Sequence, residues 1–182
     1  MKGFCHWMMS LIGWKVTGEL PNVDKYVLIA APHTSNWDLP LGLLARCVKK
    51  MDIRFLAKKE LFFFPLSSIL RSLGGTPVDR SQKMHMVDQI AAIFDQHEKF
   101  ILGLAPEGTR SPVKRWKFGF YHIAVKANVP IFLVGFDYQK KEVQLHELFY
   151  PTGDLKADYD HFRQYYLTVR GYRAKEIPEI IE

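Results

Sequence analysis

From Tyr26 to Ala31 the chain reads YVLIAA, an unbroken apolar run of strand length. A loop follows, and then WDLPLGLLARCVKK (37–50), whose apolar positions recur at helical spacing despite Pro40. The same alternation repeats downstream. IRFLA (53–57) predicts a second strand, KMHMVDQIAAIFDQHE (83–98) an amphipathic helix, and KFILGLA (99–105) a third strand. FGFYHIAVKA (118–127) predicts a helix and VPIFLVGF (129–136) a fourth strand. Strands that are apolar throughout, rather than at every second position, are covered on both faces, which is the situation of a parallel sheet between helices. The expected class is therefore α/β, a layered fold with a central, mostly parallel sheet flanked by helices. Sites in such folds form in loops at the carboxyl ends of strands. After Val143 the pattern weakens, although DYDHFRQYYLTVRGYRAKE (158–176) predicts a terminal helix with aromatic and basic faces.

Length changes this picture little: 182 residues at 48% hydrophobic content suit one well-buried core, so 1–182 is expected to be a single domain, with 1–20 a candidate interfacial N-terminal helix. The opening MKGFCHWMMSLIGWKV resembles a signal peptide only superficially. It has one early lysine and no small-residue cleavage site, and His6 and Lys15 interrupt it. Its apolar stretch is also shorter than the roughly 20 residues of a spanning helix. Segment 4–16, with Trp7, Trp14 and Lys15, is open to two readings, burial in the core or an interfacial helix on a membrane surface. ELFFFPLSSILRS (60–72) is open to two readings, a buried helix pair or an exposed surface that docks on lipid. Cys5 and Cys47 lie far apart without metal-ligand spacing, which indicates neither a disulfide framework nor a zinc site and fits a reducing compartment. The net charge of +6 calls for an anionic partner without choosing among nucleic acid, membrane and phosphorylated substrate.

Candidate chemistry begins at APHTSNWDLP (31–40). Ser35 followed by Asp38 fits a capping-box variant at a helix start. The same spacing also suits a dyad, because a first-turn side chain leans back toward an imidazole standing just before the helix. A carboxylate on one ring nitrogen would fix the tautomer of His33 and leave the other nitrogen as a general base. The spacing alone is a weak signal in a chain with seven histidines. APEGTRS (105–111), directly after a strand, strengthens it, as do Asp79-Arg80 and WKFG (116–119). Gly108 permits close backbone approach, and Arg80, Arg110 and Lys117 are suited to gripping an anion.

With these residues in view, the sequence resembles the glycerophosphate and lysophosphatidate acyltransferase family. Its first block, His-x-x-x-x-Asp, matches His33 to Asp38, and its second, ending in Arg, matches GGTPVDR (74–80). Its third block is present in full as Glu107, Gly108, Thr109, Arg110 and Ser111, and its Pro-containing fourth matches VPIFLVGF with Pro130. AKKELFFFPLSSILRSLGG (57–75) is similar to the segment leading into the second block. The resemblance spans 26–136, with Pro32 where many members carry Asn.

The resemblance implies that His33 takes a proton from an acceptor hydroxyl while Asp38 orients it. Arg80, Arg110 and Lys117 would hold the acceptor's phosphate, with Glu107, Gly108 and Thr109 shaping the loop. The donor would be acyl-CoA or acyl-carrier protein, the acceptor a lysolipid, and neither a metal nor a further cofactor is expected. The protein would sit peripherally on the cytoplasmic face of a membrane. The competing class, a non-catalytic basic module binding anionic lipid or nucleic acid, explains the charge but not the blocks. No nucleic-acid motif is recognisable, and the chain contains no G-x-S-x-G elbow, G-x-G-x-x-G or G-K-[ST] loop.

Overall fold

The computed structural model describes residues 2–78, 86–174 and 176–180. Among these residues seven strands form one sheet: β1 (Lys15–Thr17), β2 (Lys25–Ala31), β3 (Ile53–Lys58), β4 (Gly75–Val78), β5 (Phe100–Leu104), β6 (Ile131–Asp137) and β7 (Glu142–Phe149). Their spatial order is β1-β7-β6-β2-β5-β3-β4. Every neighbouring pair is parallel except β6 with β7. The layered, mostly parallel α/β architecture is as expected from the apolar runs.

β2 lies in the middle, paired to β5 on one side and β6 on the other. Its successive side chains serve opposite faces. Val27, Ile29 and Ala31 enter one core with Phe94, Phe120 and Phe162, whereas Tyr26 and Leu28 enter the other with Leu41, Val48 and Phe132. Helices α4 (Met86–Asp95), α5 (Gly119–Lys126) and α6 (Leu155–Leu167) supply the first core. Helices α1 (Lys2–Leu11) and α2 (Asp38–Lys49) supply the second, and α3 (Leu66–Ser72) stands beside β4. Burying such side chains contributes about 1.5–3 kcal/mol each, which is why the interiors of β2 and β6 read as unbroken apolar runs. In α2 the buried Leu41, Ala45 and Val48 follow helical spacing, and Pro40 falls in the first turn, where a missing N–H costs nothing.

Several expectations need correction. Cys5 and Cys47 form a disulfide, because α1 packs along α2 and brings their Cα atoms to 6.1 Å; a separation of 42 residues gives no hint of that contact. Trp14 is only 9% exposed and belongs to the core, whereas Trp7 is 56% exposed. The buried-pair reading of 60–72 fails, since Phe63, Phe64 and Ile69 are all exposed, Phe64 to 85%. The terminal helix spans Leu155–Leu167, started by Asp154, whose carboxylate accepts from the Lys156 and Ala157 N–H groups. Beyond Thr168 the chain leaves the helix and crosses back over the sheet end. There the Arg170 carbonyl accepts from the Tyr138 N–H, and the Tyr172 N–H donates to Thr34 Oγ1 at 2.9 Å. Gly171 is required at this crossing, as a Cβ would stand 2.8 Å from Thr34 Oγ1. The predicted helix 83–98 is observed from Met86, its first residues lying outside those described.

Candidate active site

The loops leaving β2, β5 and β6, three adjacent strands, meet at one end of the sheet. The β2 loop brings His33, Thr34 and Ser35, and α2 starts with Asp38. Asp38 is 2% exposed, and its carboxylate is enclosed by donors. Oδ2 accepts from Thr34 N–H at 2.8 Å and Ser35 N–H at 2.9 Å, and lies 2.8 Å from His33 Nδ1. Oδ1 accepts from the Tyr138 hydroxyl at 2.5 Å. Burial pushes the Asp38 carboxyl upward, but the bonds from His33, Tyr138, Ser35 and Thr34 outweigh it and hold the group below its usual range. Asp38 is therefore ionised at neutral pH, and as a pure acceptor it requires an N–H at His33 Nδ1. Nε2 is then the basic nitrogen of the ring.

The capping box itself does not form: the N-cap of α2 is Trp37, with no side-chain cap hydrogen bond, and Ser35 Oγ accepts from Trp37 N–H at 3.1 Å rather than from Asp38 N–H. Asp38 instead ties the loop that carries His33 to the start of α2, through the Thr34 and Ser35 N–H groups that precede the helix.

The β5 loop supplies Glu107, Gly108, Thr109 and Arg110. Glu107 is buried, and its Oε2 accepts from the His33 backbone N–H at 2.8 Å, so it anchors the histidine's main chain. Gly108 has φ +65°, and a Cβ there would come within 2.9 Å of Lys117 Nζ, so the glycine both permits the turn and leaves room for the lysine to lie across it. His33, Gly108, Thr109, Arg110 and Lys117 line one cleft of about 820 Å³. Its deeper wall is apolar, with Phe55, Leu56, Ile90, Leu104, Phe120 and Ile123. Arg80 lies outside the described residues. Tyr138, which follows β6 directly, was missed by the sequence reading, where the only available signal was a polar residue after the strand neighbouring β2.

A family model described as Acyltransferase matches residues 14–136, well over half of the chain. The chain belongs to the acyltransferase family. It is 29% identical over 150 residues to the 1-acyl-sn-glycerol-3-phosphate acyltransferase of Salmonella typhimurium, covering 78% of this chain and 60% of the relative. The same protein of Salmonella typhi matches with the same figures. The acyltransferase-family chain thus spans 60% of the length of these curated relatives. In fold it is similar to the crystal structure of the 1-acyl-sn-glycerophosphate (LPA) acyltransferase, PlsC, from Thermotoga maritima. That match has a TM-score of 0.59 at 22% identity and covers 94% of this chain and 80% of the other. The family-matched span includes His33, Asp38 and the Glu107 loop but stops at Phe136, short of Tyr138 and the C-terminal crossing.

Proposed function

We propose that the protein is an O-acyltransferase that moves a fatty acyl group from an acyl thioester to the free hydroxyl of lysophosphatidate or a closely related lysolipid, in phospholipid biosynthesis. The observation that carries this reading is the His33–Asp38 pair, 2.8 Å apart and opening on the cleft that Arg110 and Lys117 also line. With Nδ1–H directed at Asp38, His33 Nε2 takes the proton of the acceptor hydroxyl as its oxygen attacks the thioester carbonyl carbon. The new C–O bond forms, the C–S bond breaks, and the departing sulfur receives the proton that His33 took up. The products are an ester and a free thiol, with no acyl-enzyme and no further cofactor. Arg110 and Lys117, joined by Arg80, hold the acceptor phosphate, and the apolar wall of the cleft suits an acyl chain. The gain from such holding is mainly orientation.

The same reading has the protein lie peripherally on the cytoplasmic face of a membrane, where thioester donors and lysolipid acceptors meet. Its support is a set of exposed apolar side chains. These are Phe4, Trp7 and Leu11 on α1, Trp37 and Leu39 beside the dyad, and Phe63, Phe64 and Ile69 near Lys59 and Arg71. No helix among the described residues is long and apolar enough to cross a membrane. The test is to incubate the purified protein in detergent with a panel of lysolipids and both acyl-CoA and acyl-carrier-protein donors, and to identify products by mass. An acylated lysolipid supports the reading. No product from any pair would leave the basic binding module as the better account.

A further inference from the structure

We infer that Tyr138 is a positioning residue for the His33–Asp38 dyad, seated by Trp14 from the N-terminal segment and by Tyr172 from the C-terminal crossing. The inference rests on the dyad being the base proposed above. Its ground is the division of labour on the Asp38 carboxylate. Oδ2 meets three donors, all from the β2 loop that carries His33, so these bonds hold the carboxylate only as firmly as that loop is itself held. The bond to Oδ1 comes from a residue 100 positions away, the Tyr138 hydroxyl at 2.5 Å, and ties the carboxylate to the end of β6. Because an ionised Asp38 only accepts, the phenol must donate. Burial and the bond to Asp38 both push the Tyr138 hydroxyl well above its ordinary range, so it keeps its proton.

Tyr138 is itself gripped from two sides. The Trp14 ring meets its ring edge-on at 4.8 Å, and the Tyr172 ring at 5.3 Å. Its backbone N–H donates to the Arg170 carbonyl at 2.7 Å, and the Tyr172 N–H reaches Thr34 Oγ1 in the His33 loop at 2.9 Å. Segments from both ends of the chain therefore converge on a donor to the carboxylate that comes from outside the His33 loop. Tyr138 is not among the residues that line the cleft.

The decisive variant is Tyr138→Phe, which removes the hydroxyl and keeps the ring against Trp14 and Tyr172. Steady-state kinetics should show kcat down about tenfold, the size expected for losing a hydrogen bond to a charged group, with KM for lysolipid and thioester unchanged. The acid limb of the pH–rate profile should also move. Without the phenol's donation the carboxylate bonds the imidazolium more strongly, His33 becomes more basic, and the limb shifts to higher pH. The other charged or titratable groups around the dyad are Glu107 on the His33 main chain, Arg110 and Lys117 across the cleft, and Tyr172 behind Tyr138; the substitution leaves all of them in place. A ¹⁵N NMR titration of the histidine ring reads the same shift without turnover. Should the wild-type protein transfer no acyl group, the functional proposal fails while the titration still tests the coupling. An unchanged kcat with an unmoved His33 titration overturns the inference, as does a change confined to KM.

Discussion

Asp38→Asn separates charge from shape in this site, and the structure sets how the amide must sit. Oδ2 faces the Thr34 and Ser35 N–H groups and His33 Nδ1, so the amide oxygen has to occupy that position. The amide nitrogen then falls where Oδ1 was and donates to the Tyr138 oxygen instead of accepting from it. Both backbone bonds survive, and Nδ1–H of His33 keeps an acceptor, so the tautomer is preserved. What disappears is the negative charge beside the imidazolium that forms during transfer. At an effective dielectric constant near 20, a pair about 4 Å apart is worth about 4 kcal/mol, so kcat should fall about 10³-fold. The assay is kcat for acyl transfer at neutral pH, with KM for both substrates expected to change little. Thermal melting gives an independent check. The Asp38 carboxyl is held below its unfolded value, so it stabilises the fold above pH ~4 and loses that contribution as pH falls through its folded value. The melting gap between wild type and Asp38→Asn should thus be widest near neutrality and close in acid. A fall in kcat of less than tenfold would refute the reasoning and leave Asp38 with a role in holding the loop alone.

Three further outcomes follow from the same geometry. His33→Ala should lower kcat by roughly 10²- to 10⁴-fold while circular dichroism and vesicle binding stay unchanged, since the side chain is partly exposed and its main chain keeps the bond to Glu107. Single Ala variants of Arg110 and Lys117 should raise KM for a phosphate-bearing acceptor more than for the thioester, and equal losses with an acceptor lacking phosphate would contradict an anion grip. In vesicle sedimentation, binding to anionic vesicles should weaken but persist at high salt, and fall further when Trp7 and Phe64 are replaced by Ser; a protein that stays in the supernatant at low salt would contradict a lipid-docking face.

How much of this was legible in the sequence depends on separation along the chain. His33 and Asp38 are joined by one loop and one helical turn, and the Glu107–Lys117 segment closes on itself, so residue types at fixed spacing carried both. The central strands were legible because a strand buried on both faces needs an unbroken apolar run. The two strands at the β1 end of the sheet were not. β7 buries Val143 and Leu145 on one side while its neighbours are polar or partly exposed, and β1 is three residues long, so neither produces a run. Contacts that depend on how helices and chain ends meet were invisible: the Cys5–Cys47 bond, Tyr138 on Asp38, and Tyr172 on Thr34 across 138 positions.

The double use of Asp38 also explains why a local motif suffices to build a reactive pair. A histidine placed before a helix would ordinarily swing among rotamers, and ordering it costs entropy. Here the Thr34 and Ser35 N–H groups of the same loop fix the carboxylate, and Glu107 fixes the His33 main chain from the neighbouring strand's loop. The imidazole then meets an acceptor already in place, so little additional ordering is left for substrate binding to supply. An uncharged acceptor at position 38 would keep the same two backbone bonds and leave the imidazolium unsupported, so the demand for a carboxylate there comes from the chemistry and not from the fold.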